Sequence, residues 1–173
     1  KPVVRTQLAT LVFADIQSKT NAVVTEIETM IGAGRAVLIG TRSIEKSELL
    51  SRLLTTKNIE HEVLNANNLS REAEIVTNCG QPGFVTVATN MAGRGTDILL
   101  HDQVRMAGGL HVILTELHES QRIDWQLIGR GSRQGDPGSF RIFVALDDEL
   151  LDLGLGPQRA ARIRTKYDSA NRD

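Results

Sequence analysis

Five short β-branched runs, each followed or preceded by a helical pattern, constrain this chain more than any other feature. The runs are AVLIG (36–40), HEVLNA (61–66), FVTVATN (84–90), LHVILTE (110–116) and FRIFVAL (140–146). Runs this short and this apolar read as strands buried on both faces. Between them, SKTNAVVTEIETMIGAG sets Val23, Ile27, Met30 and Ile31 on one helical face, with Ser18 placed to cap it and Gly32 and Gly34 to end it. SIEKSELLSRLLTTKN carries the stripe Leu49, Leu50, Leu53 and Leu54 behind a Ser43 cap. SREAEIVTNCG predicts a shorter third helix and ESQRIDWQLIGR a fourth. Neighbouring parallel strands need a crossover, and a helix supplies it with right-handed sense. The expected fold is α/β, a mostly parallel sheet with helices on both faces. In such sheets ligands sit beyond the carboxyl ends of the strands, and the unusual loops of this sequence are expected there.

The length of 173 residues suits one domain. After Leu146 the texture changes to acidic DDELLD and then QRAARIRTKYDSANRD, so residues 1–150 are read as the lobe and 151–173 as a tail or the start of a following domain. With aromatics at 3% the core must be aliphatic. A net charge of −1 gives no global attraction to nucleic acid or anionic membrane. The lone Cys79 excludes an internal disulfide and a multi-thiolate zinc site, and reads as a small core residue. No apolar run approaches the ~20 residues of a membrane span, and KPVVRTQLAT lacks the apolar core of a signal peptide. A soluble, intracellular-type domain is expected, and the start at Lys1 suggests a piece of a longer chain.

Two loops carry candidate chemistry. In TVATNMAGRGTDI (86–98), Gly93, Arg94 and Gly95 let backbone approach a ligand, and Asp97 can accept hydrogen bonds from ribose-like hydroxyls. A tight turn with Asp97 as a helix cap fits the same residues equally well. In QLIGRGSRQGDPGS (126–139), Arg130 and Arg133 stand three apart among glycines. A helix over 120–130 would put Arg122, Gln126 and Arg130 on one face, and Ile123 and Leu127 on a neighbouring one. Guanidinium forks suit phosphate oxygens. Simple capping, with Gly131 just past the helix end, accounts for one arginine and one glycine but not for the whole run. In VLIGTRSIEKSE (37–48), capping by Ser43 is a simpler reading than an anion site. No G-x-x-x-x-G-K-[ST] occurs, so no such loop here cradles a β-phosphate. His111, Glu116 and His118 are not expected to hold a metal, since His111 and Glu116 fall on opposite strand faces. Asp147, Asp148 and Glu149 read as a charged cap rather than as catalytic carboxylates.

TNMAGRGTDI and HESQRIDWQLIGRGSRQGDPGS resemble motifs V and VI of SecA, the motor ATPase family of bacterial protein export. VLIGTRSIEKSE resembles the motif IV region and AGGLHVI the strand between. The resemblance runs from about residue 20 to 150, and the long motif VI frame is its most specific part. It implies a RecA-like helicase C-terminal lobe, the second nucleotide-binding domain, with ATP or ADP and Mg²⁺ bound against a first lobe that holds most of the Mg²⁺. It implies arginine-finger roles for Arg130 and Arg133. Asp97, with Gly95 and Arg94, would contact the nucleotide, and Gln126 would link the motif VI helix to the interlobe contact. The implied partners are that first lobe, a membrane protein-conducting channel and preprotein substrates, in a cytoplasmic, peripherally membrane-associated parent that could be a homodimer. No nucleic-acid partner is expected, and the isolated chain should not turn over ATP. A nucleic-acid helicase lobe and a non-catalytic module derived from the motor are the competing readings. The chain departs from the family's usual pattern in ways that suggest a divergent paralogue. Gly131-Ser132 reverses Ser-Gly, Leu114 and Leu117 replace a glycine and an arginine, Trp125 and Ile128 stand for Asn and Arg, and LLHD follows GTDI.

Overall fold

The computed structural model describes residues 2–89, 97–118, 120–149 and 157–170. In chain order the elements are β1 (Val4–Gln7), β2 (Leu11–Phe13), α1 (Ile16–Gly32), β3 (Val37–Thr41), α2 (Ile44–Thr56) and β4 (Glu62–Leu64). A 3-10 turn (Ala66–Arg71) leads into α3 (Glu72–Asn78), then β5 (Val85–Thr89), α4 (Asp102–Met106), β6 (Leu110–Leu114) and α5 (Gln121–Ile128). A second 3-10 turn (Arg133–Gly135) precedes β7 (Pro137–Ala145), and α6 (Pro157–Ala170) closes the order. Among the described residues the sheet runs β1-β7-β6-β3-β5-β4, with β2 also on β7, and every pairing is parallel.

The five expected strands are all present. All five residues of β3, β5 and β6 are buried, because helices cover both faces of the sheet. Alternation divides them. Val37, Ile39, Val85, Val87, Ile113 and Phe143 pack with Val23, Ile27, Leu50 and Leu54 of α1 and α2. Leu38, Ala88, Val112 and Leu114 pack on the other face with Ile75, Val76, Cys79, Val104, Leu127 and Ile128. Cys79 is thus a core residue, its sulfur 3.2 Å from Thr86 Oγ1.

Three local expectations change. Strands β1 and β2 were not foreseen; they are short and partly exposed, and exist by pairing with the two halves of the nine-residue β7. The cap of α1 is Asp15, not Ser18: Asp15 accepts from Ser18 N at 2.7 Å and Ser18 Oγ at 3.1 Å, so Ser18 is the capped residue. Helix α5 ends at Ile128, with Gly129 as its C-cap, so Arg130 lies past the helix rather than on its polar face. Ser43 does cap α2, accepting from Lys46 N at 3.2 Å.

Polar groups fasten α1 to the sheet. His111, fully buried on β6, sits 2.7 Å from Glu26 Oε1 through Nε2 and 2.7 Å from Ser139 Oγ through Nδ1. Arg35 donates to Ser139 Oγ at 2.8 Å and to the carbonyls of Gly109 and Gly108 at 2.9 and 3.0 Å. The Ser139 oxygen accepts from Arg35 while the same hydroxyl faces His111 Nδ1, and Glu26 faces His111 Nε2. Arg141 donates to the second oxygen of Glu26 at 2.9 Å. Burial pushes the Arg35 guanidinium pKa down, and these acceptors hold it in place. At the other end of α1, Lys19 pairs with Asp148, and both are buried. Asp148 also accepts from Ala145 N at 2.7 Å, so it closes the end of β7 and is tied to α1.

Gly109 lies at φ +82°, and a Cβ there would come within 1.8 Å of the Pro137 carbonyl oxygen. Gly109→Ala should lower unfolding stability by more than about 2 kcal/mol. Gly32→Ala, with nothing within 4 Å of its new methyl, should instead hold or raise stability. Urea midpoints of the two variants check this.

Candidate functional site

A parallel sheet decides where the arginines go. Helix α5 leaves the carboxyl end of β6 and must run back before β7 can start beside it. The segment after α5 therefore lies at the amino end of β7. That corrects the expectation that the arginine loop sits at the carboxyl ends of the strands. The carboxyl end has its own cavity of about 240 Å³, between α1 and α2, but its charges are already matched. Lys19 faces Asp148 there, and Lys46 donates to Glu116 at 2.7 Å.

At the amino end, residues 129–136 fold back on α5. The Arg133 guanidinium pairs with Asp97 from the segment after β5, and its Nε donates to the Gly129 carbonyl at 3.1 Å. Asp136 accepts from Arg105 of α4 at 2.7 Å. Asp97, Ile98, Arg105, Arg133, Gln134 and Asp136 help line a cleft of about 390 Å³. Arg130 is half-buried beside Arg133. Its pKa is lowered first by burial and then by the charge of Arg133, against smaller opposing effects of Cys79 and Glu72. Two neighbouring guanidiniums, one partly desolvated, both gain from a shared anion.

The loop's backbone is unusual. Ser132 and Gln134 take left-handed φ values of 62° and 56°, followed by Gly135 at 88°. A non-glycine residue in this region costs about 1 kcal/mol or more. Gly138 permits the fold-back, since a Cβ on it would come within 2.4 Å of Ser132 Oγ. The Gly131-Ser132 order places serine, not glycine, on the left-handed position. Its hydroxyl is buried without a hydrogen-bond partner among the described residues. The Gly131 carbonyl accepts from Arg5 of β1 at 3.0 Å.

The structure pairs Arg133 with Asp97, 36 positions away, and sets Arg130 near enough to Arg133 to feel its charge, although Arg130 does not line the cleft. Gln126 is exposed on α5 and does not line the cleft. Arg94 and Gly95 lie outside the described residues. His111, Glu116 and His118 have separate partners: Glu26 and Ser139 for the first, Lys46 for the second, and Asp124 at 2.6 Å for the third. Arg5, Ser132, Arg105 and Asp136 escaped the sequence reading. Only the reversed Gly-Ser order pointed toward one of them.

Comparison with known proteins gives the chain's family and fold. The chain matches the model of the SecA P-loop domain over residues 2–104 and 100–169. It belongs to the SecA P-loop family. It is 53% identical over 171 residues to protein translocase subunit SecA 2 of Rhodopirellula baltica, covering 99% of this chain and 26% of that protein. It is 55% identical over 153 residues to the SecA subunit of Halothermothrix orenii, covering 88% and 18%. The chain thus spans about a quarter or less of the length of these relatives. The E. coli DEAD-box protein SrmB, solved bound to the regulator RraA, superposes with a TM-score of 0.68 at 23% identity, over 91% of this chain and 86% of that one. Domain 2 of the Mss116p DEAD-box helicase, solved on an RNA duplex, gives 0.62 at 17% identity, over 89% and 60%. These likenesses show the fold, which is RecA-like. No helix among the described residues is long and apolar enough to cross a membrane.

Ser132→Gly should stabilise the SecA-family lobe by about 1 kcal/mol, by relieving the left-handed serine and removing its unpaired hydroxyl. Chemical denaturation reads this out, and a loss of stability would show that the hydroxyl has a partner worth more than the strain.

Proposed function

We propose that this chain is the second motor lobe of a SecA-type translocase ATPase. Its boundary falls near residue 150, with 151–173 leading onward. ATP binds between this lobe and a first lobe that holds the phosphates and most of the Mg²⁺. The observation that carries the reading is the exposed Arg133–Asp97 pair at the cleft, with the half-buried Arg130 near enough to Arg133 to feel its charge. ATP, when bound, supplies a γ-phosphoryl group whose transfer to water drives the cycle. This chain's part is electrostatic. Arg130 and Arg133 present cations to the charge that develops on that group. A half-exposed ion pair is worth only about 0–1 kcal/mol, so Arg133 can leave Asp97 for a phosphate at little cost. Asp97 is then available to hydroxyls of the ribose. Arg94 and Gly95 belong to the same nucleotide-contacting segment, and Gln126, on the exposed side of α5, serves the contact between lobes.

Through the parent, the lobe would couple hydrolysis to preprotein movement through a membrane channel, from a cytoplasmic, peripherally bound position. The near-neutral charge gives no support to a nucleic-acid track.

In the full-length protein, Arg130→Ala and Arg133→Ala should each lower ATP turnover by about 10³-fold or more, with nucleotide Kd changed less than about threefold. Steady-state kinetics and equilibrium binding separate the two quantities. Normal turnover in both variants overturns the finger assignment. The isolated chain should bind ATP weakly and show no turnover, since it has no phosphate-cradling loop of the G-x-x-x-x-G-K-[ST] type.

A further inference from the structure

Arg5 lies far from the cleft in sequence and next to its arginine loop in space. It belongs to β1, which among the described residues is an edge strand paired only with β7, and its Cα is in register with Gly138. Gly138 is the residue whose missing Cβ makes room for Ser132. From that position Arg5 donates to the Gly131 carbonyl at 3.0 Å, across 126 residues of chain. We infer that Arg5 is a positioning residue: by holding the Gly131 carbonyl, it fixes the loop that presents Arg130 and Arg133. The consequence for catalysis rests on the motor-lobe reading above; the clamp itself does not.

Three observations carry the inference. The Gly131 carbonyl lies between the two arginines in the turn that follows the Gly129 C-cap of α5. Arg133 Nε holds the carbonyl of that cap residue, and Arg5 holds the Gly131 carbonyl. The clamped peptide leads directly into Ser132, whose left-handed φ of 62° needs outside support to persist. Finally, the guanidinium is a costly choice for merely closing a sheet edge. Burial pushes its pKa down, and its Nε is buried without a partner among the described residues. A strand of four residues with three exposed is also weakly held, so the clamp is only as secure as the docking of β1. Undocking β1 removes the donor, and the loop loses its support.

Two variants test this on this chain and on the full-length protein: Arg5→Met, which keeps length and apolar stem, and Arg5→Lys, which keeps a cationic donor. In this chain, hydrogen exchange at the amides of 132–136 should speed up about tenfold in Arg5→Met while β3, β5 and β6 stay unchanged. Arg5→Lys should recover most of the protection. Unchanged exchange in the loop overturns the clamp. In the full-length protein, Arg5→Met should lower kcat about tenfold with the KM for ATP within about twofold, because a displaced cation weakens the transition state more than ground-state binding. Faster loop exchange with unchanged kcat overturns the positioning role, provided Arg130→Ala is inactive. If Arg130→Ala and Arg133→Ala both turn over normally, the finger assignment fails on its own, and the exchange result still decides the clamp.

Discussion

Parallel strands all begin at one edge, and this constraint arranges everything else in the molecule. Each helix that links two of them must carry the chain back to that edge. Helix α5 therefore delivers its last residues beside the start of β7, next to β1 and the amino end of β6. A loop with two arginines placed there cannot take part in chemistry at the carboxyl ends. It faces outward along the edge of the lobe, where a second body can meet it. The same geometry brings Asp97 to the same place, because the chain leaving β5 must also return before β6 can start.

The interior shows how such a sheet tolerates charge. Glu26, His111, Ser139, Arg35 and Arg141 form one connected set in which each charged group has a partner of opposite charge or a hydrogen-bond acceptor. Removing one member would strand the rest, and an unpaired buried charge costs several kcal/mol. The set therefore fixes α1 on the sheet with a directionality that apolar packing alone lacks. The cleft is organised differently. Its charges are half-exposed, close to balanced and individually weak, which suits groups that exchange partners.

Much of this was legible in the sequence, for identifiable reasons. Strands β3, β5 and β6 could be read because their runs are continuous and apolar. Helix α2 could be read because Ser43 and the leucine stripe agree. The resemblance of the motif frames brought Arg130, Arg133 and Asp97 into one hypothesis before any geometry was known. What stayed hidden depends on contacts with distant partners. VRTQ and LVF carry almost no strand signal, and they are strands only because β7 is long enough to pair with both. Asp15 and Ser18 are both good caps, and the path of the chain out of β2 selects the former. The clamp from Arg5 to Gly131 joins positions 126 residues apart, and α5 stops two residues short of the periodicity estimate.

One departure from the family pattern has an optical consequence. Trp125 is the only tryptophan in the chain. It sits on α5 one turn before the arginine loop, half-exposed, with its ring edge-on to Phe140 of β7 at a centroid distance of 5.9 Å. Its carbonyl accepts from Gly129 N at 2.8 Å, so its position is tied to the start of the loop. The indole straddles water and core at the junction that any meeting of lobes would disturb. The protein thus carries its own fluorophore beside the arginine loop, where its emission colour and quenching report the surroundings of that junction without any added label.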